Sequence, residues 1–240
     1  MPRPTQRTPR LPYDRAEATA ALSAADPKLA RLIDRAGPFT MRLASTQSPF
    51  EALTESIIYQ QLHGKAAATI HARMLAGFEP LCGPGGHPDP QHILDCPTPQ
   101  LRAAGLSHNK ILALRDLAAK TLGSPGEAST VPSLARIRRM SDQAIIDHLT
   151  QVRDIGVWTV QMMLIFRLGR PNVLPTTDYG IRKGFAFTFQ GLDPTTKVTA
   201  DLLATPADIE RRARNWVPWC SVATWYLWRA CDLAKPSQPT

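Results

Sequence analysis

Cysteine is scarce in this 240-residue chain: four in all, at 82, 96, 220 and 231, with no pair at the close spacing of a zinc ribbon or a small disulfide framework. A sulfur-stapled fold is thereby excluded, and the usage fits a reducing, cytoplasmic compartment. Long apolar runs are also missing. The longest, Met162 to Phe166 between Gln161 and Arg167, is far too short to cross a membrane. The opening MPRPTQRTPRLPYDR holds four Pro and four Arg in fifteen residues and no apolar stretch suited to a secretion signal, so residues 1–11 read as a basic, disordered tail. Strand signals are nearly absent as well, which leaves an all-α protein.

What is present is positive charge and helical periodicity. Lys and Arg number 28 against 20 Asp and Glu, a formal net charge of +8 and a sequence pI near 9.7, as a polyanion-binding surface requires. Residues 16–36 read as a helix or helix pair interrupted at Asp26-Pro27. Ser48-Pro49-Phe50-Glu51 has the pattern of a capping box and predicts a helix from Pro49 to about Gln61, broken by Gly64, with Lys65 to Leu75 following. Residues 78–99 are rich in Pro, Gly and His and read as an irregular loop, whose Cys82, His87, His92 and Cys96 fit no standard zinc spacing. A helix capped by Ser107 follows, with Lys110 facing solvent or phosphate, and Ala207 to Trp216 reads as a basic helix.

From Ser141 to Ala186 the pattern is denser. Ser141 is a plausible N-cap, Asp142 lies in the first turn, and Ile145, Leu149 and Val152 recur at helical spacing. The periodicity stops at Arg153-Asp154-Ile155-Gly156, where Gly156 supplies a residue free to take positive φ, and resumes through Trp158, Met162, Ile165 and Phe166. Two helices joined by a tight turn leave backbone N–H groups pointing together at a helix start, which suits a phosphate. An ordinary αα-hairpin packed in a core has the same spacing.

VRDIGVWTV, residues 152–160, resembles the helix-hairpin-helix of DNA repair glycosylases, with Asp154 in place of the first hairpin Gly; Asp tolerates left-handed angles. GRPNVLPTTDYGIRKG, residues 169–184, is similar to the catalytic-Asp loop of the same superfamily, in the 3-methyladenine DNA glycosylase II branch. YQQLHGKAA, residues 59–67, resembles that branch's QQLSGKAA element, and GLSHNKILALRDLA, residues 105–118, another of its helices. PWCSVATWYLW, from Pro218 to Trp228, resembles its PWRSxAxxYLW helix, with Cys220 where Arg is usual.

The resemblance implies two helical domains flanking a DNA-binding cleft: residues 49–175, with the hairpin at about 152–158, and residues 12–48 plus 176–240. It implies a monofunctional enzyme that flips alkylated, cationic bases out of duplex DNA and hydrolyses the N-glycosidic bond. Asp178 is the catalytic carboxylate, at a helix start where Gly180 or Ile181 N–H can donate to it and Arg182 lies one turn on. Trp158, Trp228, Tyr179, Phe39 and Met162 line the substrate pocket, stacking on a cationic base. Leu62 is the wedge that fills the vacated stack, with Gln60, Gln61 and His63 as minor-groove contacts; Lys65, Asp154, Gly156, Val157 and Thr159 complete the DNA-binding set. Glycosylases that also cut the backbone carry Lys where Trp158 stands. The expected partner is double-stranded DNA with alkylated bases, bound by a monomer without cofactor, metal or membrane, in the cytoplasm or on a bacterial nucleoid. A non-catalytic hairpin DNA-binding protein and a bifunctional glycosylase-lyase are the competing readings.

Overall fold

The computed structural model describes residues 9–45, 48–123 and 129–234; the N-terminal tail expected over residues 1–11 lies outside them up to residue 8. Among the described residues the regular structure is entirely helical: α1 (Arg15–Ala25), α2 (Pro27–Ala36), α3 (Pro49–Tyr59), α4 (Gly64–Cys82), α5 (Pro90–Asp95), α6 (Thr98–Ala103), α7 (His108–Leu122), α8 (Leu134–Ile137), α9 (Asp142–Leu149), α10 (Val157–Phe166), α11 (Tyr179–Phe185), α12 (Pro206–Ala213) and α13 (Cys220–Leu233). A short π segment, Ala186–Gln190, extends α11. The starts are written in the sequence. Asp14, Asp26, Ser48, Ser107, Ser133, Ser141, Asp178 and Thr205 each accept a backbone N–H from two or three residues ahead, satisfying donors that the helix itself cannot.

The irregular loop expected over residues 78–99 is a correction. Helix α4 runs on to Cys82 with Pro80 inside its last turn, because Ala67, Met74 and Phe78 lie on one buried face and their packing outweighs a single lost N–H. Pro90 and Pro99 stand at the first turns of α5 and α6, where proline's fixed φ and missing donor suit a helix start. Prolines that look like breakers thus open two helices. His92 closes a reciprocal cap with Asp89, His87 Nδ1 pairs with the Pro88 carbonyl and Cys96 donates weakly to Pro97 O. Among the described residues no three His, Cys, Asp or Glu side chains gather as a metal set.

The chain forms two compact units, Thr46–Val160 and a discontinuous one made of Met1–Ser45 and Gln161–Thr240. The second boundary therefore falls inside α10 rather than near residue 175. In the central unit α7 is covered by α3 and α5, burying Ile111, Leu114 and Leu117 of α7 against Leu53, Ile57 and Ile93.

The discontinuous unit is tied together by a buried carboxylate. Asp26, 2% exposed, ends α1 and begins α2, accepting from Lys28 N and Leu29 N. The same carboxylate receives Arg212 side-on, Nε to Oδ2 and Nη2 to Oδ1 both at 2.7 Å, and Trp216 Nε1 at 3.1 Å. Arg212 in turn lies over the Phe189 ring at 4.0 Å, and fully buried Trp216 packs on Phe185 and Phe189. Burial alone would raise the Asp26 pKa, but Arg212, Trp216 and Leu29 N–H outweigh it and hold the carboxyl below its usual range.

Asp26→Asn therefore should cost about 3 kcal/mol in denaturant unfolding at pH 7. Because the folded-state pKa is depressed, this stabilisation is fully present above the unfolded value near about 3.9 and is lost as pH falls through the folded value. The gap between wild type and variant should begin to narrow below pH about 4 and close only below the depressed folded value, and a gap that does not narrow would refute the assignment.

Candidate active site

The helix pair α11 and α13 sets the carboxylate expected to do chemistry. A Cβ at Gly184 would lie 2.0 Å from the Leu227 carbonyl oxygen, and one at Gly180 would lie 2.8 Å from Trp228 Cδ1. Only glycine permits so close an approach of backbone to helix. The approach places the N-cap of α11, Asp178, against α13. Its Oδ1 accepts from Ile181 N at 2.8 Å and from Trp228 Nε1 at 2.8 Å. Asp178 is half-buried.

Trp228 was expected as a stacking face for the base. In the structure its N–H holds Asp178 and its ring stacks on Phe166, centroids 5.5 Å apart and planes 24° from parallel. Phe166 is a neighbour that the sequence did not single out. Its only signal was a place on the apolar stripe of α10. Cys231, one turn beyond Trp228, donates to Gly180 O at 3.2 Å and braces the same helix start. Arg182, expected one turn from Asp178, sends its Nε to Ala204 O.

The loop leading to Asp178 is held from α13 as well. Ser221 Oγ donates to Arg170 O at 2.6 Å and accepts Val173 N at 2.9 Å, and Ser221 N donates to Pro171 O. Cys220, beside it, is buried; burial pushes its thiol up to about 11, and Sγ faces Ala213 O. No cation stands at this position.

The remaining pocket candidates divide. Tyr179 is 56% exposed and Trp158 46% exposed, while Met162 is half-buried on α10. Phe39 is a correction: it is buried at 4%, and its ring partners are Trp225 and Tyr226, so it belongs to the core of the discontinuous unit.

In the central unit the hairpin occupies residues 150–156, beginning two residues ahead of the expected 152–158 and longer than the break at 153–156, because α9 ends at Leu149 and Val152 is buried in the turn itself. The left-handed residue is Asp154, φ 62°, not Gly156. Aspartate thus carries the conformation that the missing glycine would have supplied. Gly156 and Val157 are exposed at the start of α10, whereas Thr159 is buried. The Asp154 carboxylate is 3.9 Å from Arg153 Nε.

The QQLHGK element follows α3. Gln61, Leu62, His63 and Lys65 are exposed, with Gln61 left-handed at φ 57°. Gln60 differs: its Nε2 donates to Asp154 O at 2.8 Å, spanning from this loop to the hairpin. Lys110, expected to face solvent or phosphate, instead donates to Ile58 O and to Gln60 O.

A helix-hairpin-helix followed by an aspartate-capped helix defines the class, and the family described as HhH-GPD superfamily base excision DNA repair protein matches residues 54–207; the chain belongs to that superfamily. It is 32% identical over 219 residues to DNA-3-methyladenine glycosylase 1 of Schizosaccharomyces pombe, spanning 91% of this chain and 88% of that protein. It is also 32% identical to a putative DNA-3-methyladenine glycosylase of Bacillus subtilis, over 77% of this chain and 60% of the relative. Among solved structures, the Schizosaccharomyces pombe 3-methyladenine DNA glycosylase in complex with abasic DNA superposes with a TM-score of 0.71 at 31% identity, covering 88% of this chain and 95% of that one. A DNA-3-methyladenine glycosidase from Bacillus halodurans gives a TM-score of 0.71 at 26% identity, covering 94% and 93%.

Trp228→Phe keeps the ring and removes the N–H. If Trp228 orients Asp178, turnover should fall about 10- to 100-fold with little change in KM, the worth of one hydrogen bond to a charged group. A rise in KM alone would instead assign Trp228 to substrate binding.

Proposed function

We propose that this chain is a monofunctional DNA glycosylase that extrudes alkylated, cationic bases from duplex DNA and hydrolyses their N-glycosidic bond. The observation that carries the reading is Asp178: a helix-capping carboxylate, half-buried rather than sealed, whose Oδ1 is fixed by two N–H donors. The superfamily membership and the names of the relatives point the same way.

Loss of a base proceeds through a sugar with oxocarbenium character, so the site needs a negative charge held in place before the reaction begins. Asp178 supplies it and can orient the attacking water. Its two donors keep it from rotating, so little reorganisation is needed as charge develops. An N-alkylated purine already carries positive charge, which weakens the glycosidic bond and makes protonation of the leaving base unnecessary. Exposed Tyr179, next to Asp178 in the chain, offers an electron-rich face for such a cation. Selection by charge and stacking then takes the place of a hydrogen-bond code.

Capture of the duplex falls to the central unit. Leu62, 39% exposed at the end of a polar loop, is the wedge for the vacated stack, flanked by Gln61 and His63. Phosphate binding belongs to the exposed amides at Gly156 and Val157 and to Lys65. At the position where a Schiff-base lysine would stand the chain has Trp158, so a lyase step has no amine there.

The test is base release from randomly methylated DNA, with freed bases separated by chromatography. Wild type should release 3-methyladenine-type products, and Asp178→Asn should keep binding damaged duplex while losing turnover by about 100-fold or more. Near-normal turnover by the variant would remove Asp178 from the mechanism, and a borohydride-trapped covalent adduct would overturn the monofunctional assignment.

A further inference from the structure

We propose that Lys110 is a positioning residue for wedge insertion, setting the loop that bears Leu62 from inside the protein, and that α7 fixes this loop and the hairpin in one register. The inference rests on the reading of Leu62 as the wedge.

Helix α3 ends at Tyr59, leaving carbonyls that no intrahelical N–H can reach. Lys110, in the first turn of α7, supplies the missing donors from another helix: Nζ donates to Ile58 O and, at 3.0 Å, to Gln60 O. An ammonium group at a helix C-terminus also complements the negative end of the dipole. The Lys110 amine is partly withdrawn from solvent, and that burial lowers its pKa from the ordinary value.

The next residue, Gln61, is left-handed without being glycine, a conformation that persists only where its surroundings over-determine it. Lys110 on one side supplies that constraint. On the other, Gln60 Nε2 donates to Asp154 O of the hairpin. Further along α7, Asp116 Oδ2 accepts Arg153 N at 2.7 Å and Lys120 Nζ at 2.8 Å, and Lys120 Nζ donates to Gln151 O at 2.6 Å. One helix thus holds the wedge loop by Lys110 and the hairpin by Asp116 and Lys120, six to ten residues on, or about 9 to 15 Å along its axis. A phosphate-binding lysine would need its ammonium outside; this one is spent on two carbonyls.

The experiment uses the full chain and a duplex with 2-aminopurine opposite a tetrahydrofuran abasic-site analogue, whose fluorescence reports wedge insertion with no bond cleaved. Wild type should raise the fluorescence. Lys110→Met should lose most of that rise and about 10-fold in kcat/KM on methylated DNA, as a displaced contact does. Its binding should keep the wild-type slope against salt, whereas loss of a phosphate contact would lower the slope by about 0.9. In a Leu62→Ala background Lys110→Met should add no further loss, because both changes disable one device.

A salt slope reduced by about one contact, or a Lys110→Met effect of undiminished size without Leu62, would overturn the proposal. Should Lys110→Met fail a thermal-unfolding check, Lys110→Arg, which keeps the cation but splits its donors over a fork, should show a partial loss with the same dependence on Leu62. Wild type that raises fluorescence but releases no base would sink the glycosylase reading and leave this inference standing. Wild type that gives no fluorescence rise would end the role of the wedge and of Lys110 with it.

Discussion

A buried carboxylate ties the segment before the central unit to the segment after it. Asp26 is separated from Arg212 and Trp216 by 186 and 190 positions, and it meets both within hydrogen-bond distance while capping α2. Removing such a charge from water is costly, so the arrangement persists only because every oxygen is satisfied: two guanidinium donors, an indole N–H and two backbone N–H groups. The same closure leads into the helix that positions Asp178. Arg212 and Trp216 orient the segment ahead of α13, and α13 carries Ser221, Trp228 and Cys231 to the loop and helix start that bear the carboxylate.

The two chemical parts of the protein are built by different means. Asp178 is placed by backbone proximity: glycines at 180 and 184 let α11 lie against α13 closely enough for an indole N–H to reach a cap. The wedge loop and hairpin of the central unit are placed by side chains that reach over to carbonyls and amides, Lys110, Gln60, Asp116 and Lys120. The first device is rigid because no side chain can be inserted. The second is an assembly of hydrogen bonds, charge-assisted for Lys110, Asp116 and Lys120 and neutral for Gln60, each answering a backbone group of a helix end or turn.

How much of this could be read from the residues depended on range. Caps are local, and Ser48, Ser107, Ser141 and Asp178 announced their helices within three residues. The hairpin and the Asp178 loop were recognisable as short strings. What escaped was set by distant partners. Asp26 looked like a break before Pro27, and nothing near it signals Arg212. Phe39 looked like a pocket aromatic because aromatics are ambiguous until their neighbours are known, and Trp225 decided it. Lys110 looked solvated because a lysine beside a helix start normally is. Pro80, Pro90 and Pro99 looked like a loop because propensity is a weak prior beside a buried face and a correctly placed N1. The spacing of Gly180 and Gly184, one helical turn, was the one available hint of the α11–α13 contact.

The division of the chain bears on how the protein is made. Residues 46–160 are a continuous stretch and leave the ribosome complete, while the segment before them must wait for its counterpart. Until Arg212 and Trp216 are synthesised, Asp26 has no cationic or indole donor and the first two helices no finished core. Folding during synthesis therefore runs from the middle outward: the portion with the hairpin can mature first, and the portion with Asp178 closes only after Arg212 and Trp216 have emerged.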